Sequence, residues 1–173
     1  MLVKAYQGKI FNLCLKMLGH YEDARDTAQD VFIKVFKALA RFRQDASFST
    51  WIYRIAVNTC KNKLTSARRR FHKRFIPLDK AVDTGDGEVH KQVKNPGPSP
   101  AASLHAKQVQ ARVLAAIHAL PADRKTVVLL RDMEGLSYQE IGAITGWPLG
   151  TVKSKLARAR EALRLMLKDV IYP

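Results

Sequence analysis

The sequence predicts an all-α fold, with two small helical domains joined by a flexible linker and a helix-turn-helix in the C-terminal domain. Apolar residues recur every three or four positions in both halves, and no segment shows the apolar-polar alternation of a strand. The stretch from Pro77 to Pro100 contains several Gly and Pro residues and no aromatic residue. It is longer than the loops of compact domains. We therefore predict domains at residues 1–76 and 106–173, with 77–105 as the linker.

The chain is strongly basic, with a formal net charge of +15. Residues 1–76 hold 16 Lys and Arg against 5 Asp and Glu, and residues 107–173 hold 11 against 6. The connector between them is close to neutral. Because such a charge opposes compaction, it predicts a polyanionic partner.

The cysteine pattern and hydropathy favour an intracellular protein. Cys14 and Cys60 are the only cysteines, and both fall in apolar helical patterns. This pattern predicts two buried thiols rather than a disulfide framework, as in a reducing compartment. No signal peptide is recognisable, and no apolar run approaches the roughly 18 residues of a membrane span. We expect the cytoplasm as the location.

Three helices are predicted in the first domain. The first runs from Met1 to Leu18, before a glycine suited to end it. The second runs from about Glu22 to Ala40, with acidic residues in its first turns and lysines later, which complements the helix dipole. The third begins with Ser47 or Ser49 as its N-cap and reaches at least Ser66.

Four helices are predicted in the second domain. Leu104–Ala119 forms one helix, and Pro121 opens the next, which runs to about Met133. The sequence SYQE from Ser137 fits a capping box, so a short helix begins there and ends at Gly146. The last helix opens at Pro148 and continues to about Val170.

The segment LSYQEIGAITGWPLGTVKSKLARAR, from Leu136 to Arg160, predicts a helix-turn-helix. A short capped helix and a tight glycine turn precede a basic helix, the arrangement that places a second helix in the major groove. A charge run alone would favour a helical bundle with a solvated basic face. The cap, the turn and the basic helix together favour DNA binding. Trp147 is predicted to fill the space between the helices. The residues expected to bury the inner faces are Ile141, Ile144, Val152 and Leu156.

Several quoted segments together resemble one family. The segments EDARDTAQDVFIKVFKAL, RFRQDASFSTWIYRIAVNTCKN, LPADRKTVVLLRDMEGLSYQEIGAITG and WPLGTVKSKLARARE are similar to extracytoplasmic-function sigma factors of bacterial RNA polymerase. The resemblance covers nearly the whole chain outside the linker. It implies a group IV, sigma-70-type factor that directs promoter-specific transcription initiation. It also implies core RNA polymerase and promoter DNA as partners, and an anti-sigma factor that could hold the protein at the inner membrane.

The resemblance implies that the second helix binds the polymerase clamp. The residues at the matching positions are Asp26, Gln29, Asp30, Ile33 and Phe36. Asp23, Asp26 and Asp30 also share one helical face, which could hold a divalent metal. No histidine or further carboxylate supports a metal there, so we expect protein binding, no metal and no cofactor.

The resemblance gives the third helix and the loop before it the task of trapping the melted minus-ten strand. Trp51 lies in an apolar stripe, so we expect it in the core or straddling core and surface, whereas Phe48 is ambiguous. Ala157 points outward on the recognition helix and offers little beyond a methyl contact. The expected minus-ten contacts are Arg43, Phe48, Thr50, Tyr53, Arg54, Asn58, Lys61 and Asn62. The expected phosphate anchors are Arg68, Arg69 and Arg70. The expected minus-thirty-five contacts are Arg131, Thr151, Lys153, Ser154, Lys155, Arg158 and Arg160.

Two other classes of protein are less consistent with the sequence. No P-loop, no G-x-S-x-G elbow and no Cys/His metal spacing is present. The histidines are scattered, so we expect no enzyme activity. A free-standing helix-turn-helix regulator is the alternative, but it would not need a second basic domain with an exposed aromatic face. The histidines are His20, His72, His90, His105 and His118.

Overall fold

The computed structural model describes residues 2–42, 46–74 and 100–171, and every regular element in these ranges is a helix. The all-α prediction is therefore confirmed for this part of the chain. The elements are α1 Leu2–Leu18, α2 Tyr21–Leu39, α3 Phe48–Arg74, α4 Pro100–Ala119, α5 Ala122–Val128 with a following π-helical turn Leu129–Met133, α6 Tyr138–Thr145, α7 Leu149–Met166 and α8 Lys168–Ile171.

The first three helices form a bundle around the predicted apolar faces. Helix α1 packs against α2 and α3, and α2 packs against α3. Gly19 ends α1 with a φ of 83°, a conformation that residues with a Cβ rarely adopt. Helix α3 begins where the Ser47 hydroxyl accepts a hydrogen bond from the Thr50 backbone N–H. Ser47 is thus the cap that the sequence predicted, rather than Ser49.

The two cysteines lie inside this bundle, as predicted. Both side chains are buried, and the Cys60 thiol donates to the Cys14 sulfur, with 3.6 Å between the sulfur atoms. This hydrogen bond, together with burial, raises the pKa of the Cys60 thiol. Because the thiolate is the reactive form, the pair is suited to packing rather than to chemistry.

A π-helical turn interrupts the helix that the sequence predicts to continue regularly to Met133. The Glu134 N–H bonds to the Leu129 carbonyl, and the Leu136 N–H bonds to the Leu130 carbonyl. Leu129 and Leu130 are both fully buried. The wider turn shifts the helical register, so two consecutive leucines enter the core before the chain turns toward α6.

Several helix boundaries differ from the predicted ones, and one of them is the start of α7 at Leu149, where Pro148 is the N-cap and does not open the helix. Helix α4 begins at Pro100 and not at Leu104, so the residues from 100 to 105 are helical rather than part of the linker. A proline fits a helix start because its missing N–H is not needed there. Pro121 precedes α5 as its N-cap instead of opening it. The last predicted helix is broken at Leu167, after which α8 forms a short separate turn. The predicted linker from 77 to 99 lies outside the described residues.

The two groups of helices share one continuous buried core. Helix α3 packs against α6, and α1 packs against α4 and α5. The buried cluster runs from Ile10 and Val57 in the first group to Ile117, Leu130 and Ile141 in the second. No described helix has the length and apolar character needed to cross a bilayer.

We predict that Ser137→Ala lowers the free energy of unfolding by about 1 kcal/mol, because it removes the cap of α6. The Ser137 hydroxyl accepts from the Glu140 N–H, and the Glu140 carboxylate accepts from the Ser137 N–H. Urea denaturation followed by circular dichroism measures the loss. Ser66→Ala, at an exposed position of α3, is the matched control. Equal losses in the two variants would show that the capping box contributes nothing.

Candidate nucleic-acid interface

The helix-turn-helix has the predicted geometry. The capping box at Ser137 begins α6, and the hydrogen bonds from Ser137 lower the pKa of Glu140. Gly146 ends the helix with a φ of 75°. A Cβ on Gly142 would lie 3.2 Å from the Trp147 carbonyl oxygen, so the turn also needs a small residue there. The four predicted inner residues are buried, namely Ile141, Ile144, Val152 and Leu156.

The predicted DNA contacts on the outer face of α7 differ in their solvent exposure. Lys153, Ser154 and Arg158 are exposed, as is Ala157. The Ser154 hydroxyl donates to the Thr151 carbonyl, and Thr151 itself is half-buried. These residues lie near the N-terminal half of the helix, where a recognition helix approaches base edges.

Two of the predicted minus-thirty-five arginines have partners within the protein. Arg160 makes a bidentate contact with Asp132, which raises the pKa of Arg160. Arg131 donates to the Leu136 carbonyl at 2.8 Å and lies 4.9 Å from the Tyr138 ring centroid. Arg131 therefore braces the turn before α6. Its role as a DNA contact stays a prediction.

Tyr138 is a residue that the sequence reasoning did not select. Its ring contacts the Arg131 guanidinium, and the Lys153 ammonium lies 6.0 Å from the ring centroid. A cation near an aromatic face is held in a preferred direction. The SYQE motif predicts the helix cap but not a contact of the Tyr138 ring. Lys153 lies on the next helix, α7, so no local sequence pattern predicts its contact with Tyr138.

Lys61 and Lys155, predicted to contact different DNA elements, meet at one carboxylate. The Lys155 ammonium lies 2.9 Å and the Lys61 ammonium 3.6 Å from the Asp123 carboxylate oxygens. Both ammonium groups also lie over the Trp147 ring, Lys61 at 4.4 Å and Lys155 at 4.7 Å from its centroid. Burial raises the pKa of Asp123, but the hydrogen bond and charge of Lys155 and the charge of Lys61 outweigh it, so the pKa is lowered.

An aromatic cluster surrounds the start of α3. The ring centroids of Phe42 and Trp51 are 4.9 Å apart, and Phe48 lies 5.6 Å from Trp51 and 5.5 Å from Tyr6. Phe48 and Trp51 are both half-buried. The prediction that Trp51 straddles core and surface is confirmed, and Phe48 packs within the same cluster.

Two of the expected minus-ten contacts, Thr50 and Tyr53, are buried in this arrangement of the helices, and their role as DNA contacts stays a prediction. Thr50 is buried at the N-terminus of α3, and its hydroxyl bonds to Ser47. Tyr53 is buried against the second group of helices, and its hydroxyl donates to the Glu134 carboxylate. Burial and this hydrogen bond raise the pKa of Tyr53. The local sequence of α3 could not show that a second group of helices, 81 residues away at Glu134, covers Tyr53.

Three predicted minus-ten contacts form an exposed polar stripe along α3. Arg54, Asn58 and Asn62 are exposed, and their spacing of four residues places them on one face. Arg68 is exposed farther along the helix. Arg43 lies outside the described residues, as do the side chains of Arg69 and Arg70.

The predicted polymerase-binding residues lie together on the exposed side of α2. Phe36 is 81% and Ile33 is 45% exposed, and three polar residues lie beside them. Asp23 is bound to Lys63 at 3.0 Å. Within the part of the chain that the structure describes, no group of three His, Cys, Asp or Glu residues could hold a metal ion. The polar residues of this surface are Asp26, Gln29 and Asp30.

His118 lies where the two groups of helices meet. A Cβ on Gly19, at the end of α1, would be 3.4 Å from the His118 ring. Burial lowers the pKa of His118, and the positive charges of Lys125 and His20 lower it further. The neutral imidazole is therefore the form that fits this contact.

A basic helical bundle with a polar stripe, carried on the same chain as a helix-turn-helix, defines a promoter-recognition protein. Models of two families match the chain, Sigma-70 region 2 over residues 2–70 and Sigma-70, region 4 over residues 110–163. The chain belongs to the extracytoplasmic-function sigma factors, the sigma-70-type subunits that direct bacterial RNA polymerase to promoters.

Two relatives agree with this assignment. The RNA polymerase sigma-H factor of Pseudomonas aeruginosa is 38% identical over 173 residues, covering 99% of this chain and 86% of the relative. The ECF RNA polymerase sigma-E factor of Escherichia coli K12 is 38% identical over 171 residues, covering 99% and 87%.

Two solved structures share the fold. The sigma factor RpoE from Bartonella quintana, in complex with the anti-sigma factor NepR, has a TM-score of 0.72 and 19% identity, covering 96% of this chain and 94% of that chain. CnrH in complex with the cytosolic domain of CnrY has a TM-score of 0.63 and 23% identity, covering 97% and 86%.

We predict that the protein loses stability as pH falls below 6.5, the usual pKa of histidine, because of His118. The lowered pKa means that the unfolded chain binds more protons than the folded chain in this range, so acid favours unfolding. Urea denaturation at about pH 7.5 and about pH 5.5 measures the difference. His118→Gln should reduce it, whereas His90→Gln, in the predicted linker, should leave it intact. An unchanged difference in His118→Gln would contradict the role of His118.

Proposed function

We propose that three surfaces divide the work of this sigma factor: α2 binds core RNA polymerase, α3 traps the melted minus-ten strand and α7 reads the minus-thirty-five duplex. The observation that carries the proposal is the polar stripe of α3, which lies on the same small bundle as the exposed apolar surface of α2. A strand captured by α3 would therefore be held close to the polymerase.

The α2 surface has the composition of a protein-binding site. Phe36 and Ile33 are large apolar residues left open to solvent, with carboxylates around them. A well-exposed aromatic side chain of this kind is a common anchor of an interface, surrounded by polar residues that exclude water. The polymerase clamp is the partner that the family implies for this helix.

The α3 stripe has the chemistry needed for an unpaired strand. Arg54, Asn58 and Asn62 can donate to base edges and phosphates, and Arg68 can neutralise the backbone farther along. Extruding a base from a duplex costs a few kcal/mol. Stacking on an aromatic residue returns roughly 1–3 kcal/mol per base, and Phe48 lies near the start of the stripe. Because the sequence contains no ATP-binding motif, such contacts would trap an opening made together with the polymerase.

The α7 surface is suited to intact duplex. Lys153 and Arg158 can bind phosphates or guanine acceptors, and Ser154 can donate to either. Ala157 limits base reading at its position to a methyl contact. Most of these contacts are with phosphate, so we expect binding to the isolated duplex to be weak and to fall steeply with salt.

The setting we propose is the cytoplasm, with no catalytic activity of the chain itself. We also propose that an anti-sigma factor holds it before use, because the RpoE structure of similar fold contains the anti-sigma factor NepR. Reconstitution with core RNA polymerase and a native promoter library tests the central proposal. Promoter-specific transcripts are expected, and their absence would favour a free-standing regulator instead.

We predict that Asn58→Ala reduces open-complex formation roughly tenfold, as expected for the loss of one good base or strand contact. Its side chain is exposed, so the fold should remain intact by circular dichroism. Permanganate footprinting of a promoter with the reconstituted holoenzyme measures melting. Asn12→Ala, exposed on α1, is the matched control. Normal melting by Asn58→Ala would remove the central residue of the stripe from the site.

We predict that Phe36→Ala weakens binding to core polymerase by roughly 30-fold, the effect of losing an interface anchor worth about 2 kcal/mol. Fluorescence anisotropy of the labelled chain titrated with core polymerase measures the affinity. Tyr21→Ala tests whether any exposed aromatic on α2 has this effect, since Tyr21 is 57% exposed but lies at the other end of the helix. Comparable losses in both variants would argue against a localised anchor at Phe36.

A further inference from the structure

We propose that Asp123 and Glu134 form an internal acidic lock, which holds the two groups of helices closed by occupying side chains that promoter DNA would otherwise bind. The inference rests on the proposed function, and on the prediction from sequence that Tyr53, Lys61 and Lys155 also contact promoter DNA. The lock itself is a matter of contacts between the α1–α3 bundle and the helix-turn-helix group, α4–α8.

The first contact of the lock joins α3 to the end of the π-helical turn. The Tyr53 hydroxyl donates to the Glu134 carboxylate across a sequence separation of 81 residues. Tyr53 is 3% exposed, so its ring is unavailable to a base in this arrangement. A hydrogen bond to a charged acceptor is stronger than one between neutral groups. This bond holds the Tyr53 side chain in its buried position.

The second contact joins α3 to both α5 and α7. Asp123 binds Lys61 of α3 and Lys155 of α7 at the same time, over the ring of Trp147. The two ammonium groups repel one another, and an anion that contacts both offsets this repulsion. Asp123 supplies that anion, in the place where a phosphate would lie if DNA were bound.

The closed arrangement cannot be the one that engages a whole promoter. Lys61 and Lys155 contact the two oxygens of one carboxylate, at 3.6 Å and 2.9 Å, so they lie side by side. The minus-ten and minus-thirty-five elements are separated by about 25 base pairs, which is roughly 85 Å along B-form DNA. The helices that read the two elements must therefore separate before both can bind.

The covalent connection between the two groups permits this separation. The segment from 75 to 99, if extended, can reach roughly 85 Å, at about 3.4 Å per residue. Opening removes Asp123 from Lys61 and Glu134 from Tyr53, and DNA phosphates can then replace the carboxylates. Promoter binding and closure thus compete for the same side chains.

The test compares the chain with its Asp123→Asn/Glu134→Gln variant, because neither carboxylate is among the predicted DNA contacts. Dyes at Lys9→Cys and Ala143→Cys, both exposed positions, report the distance between the two groups by single-molecule energy transfer. Both native cysteines are buried, so they should not be labelled. A second measurement is the affinity for a fluorescent single-stranded oligonucleotide of minus-ten sequence, without polymerase.

The lock predicts that the double variant shifts the closed-to-open ratio roughly tenfold toward the open form. The apparent affinity for the oligonucleotide should rise as well, because only the open form presents Tyr53 and Lys61 to the strand in addition to the exposed stripe. Glu161→Gln/Asp169→Asn is the matched control. It removes the same two charges from pairs with Arg164 and Arg112 that do not join α3 to the helix-turn-helix group.

The outcomes separate the lock from the proposed DNA contacts. A distance distribution in the double variant equal to that of the unmodified chain, or an equal shift in the control, would overturn the lock. A chain that is fully open before any substitution would overturn it as well. An open variant with unchanged affinity for the oligonucleotide would support the lock, but it would count against the assignment of α3 to the minus-ten strand.

Discussion

The contact between α3 and the helix-turn-helix group involves a balance of charge. The chain carries a net charge of +15, and both of its helical groups are basic, so bringing them together concentrates positive charge. The closed structure resolves this locally, because Asp123 lies between Lys61 and Lys155 and Glu134 receives the Tyr53 hydroxyl. Few carboxylates are present in the chain, and two of them lie at this contact.

The predicted DNA contacts differ in their availability. Residues of the α3 stripe and the outer face of α7 are open to solvent, whereas Tyr53 is buried and Lys61 and Lys155 are partly buried where the groups meet. The geometry of the helix-turn-helix is set by its own cap and turn, the capping box at Ser137 and the left-handed Gly146. Closure therefore changes which side chains can be reached without remodelling either group.

Sequence reasoning succeeded where the determinants are local. The cap at Ser137, the turn at Gly146 and the buried inner faces of the helix-turn-helix follow from residue types a few positions apart. The burial of Tyr53 and the π-helical turn before Glu134 depend on packing between segments more than 70 residues apart, which no local pattern encodes. The start of α4 at Pro100 was missed for a different reason. The Gly and Pro residues before Pro100 predict a linker, although proline is compatible with the first turn of a helix.

The polarity of the contact is suited to a reversible closure. A phenylalanine at Tyr53 would bury the same ring without a hydroxyl, but Tyr53 has a hydroxyl that must find a partner when it is buried and that water can satisfy when it is not. The lysines of the Asp123 cluster are likewise well solvated in the open form. No buried side-chain N or O atom of the described residues lacks a partner in the closed form. Because these polar groups are satisfied in both arrangements, they add less to the free energy of closure than apolar groups of equal area would add. A polyanion or a protein partner can therefore shift the equilibrium at a modest cost in binding energy.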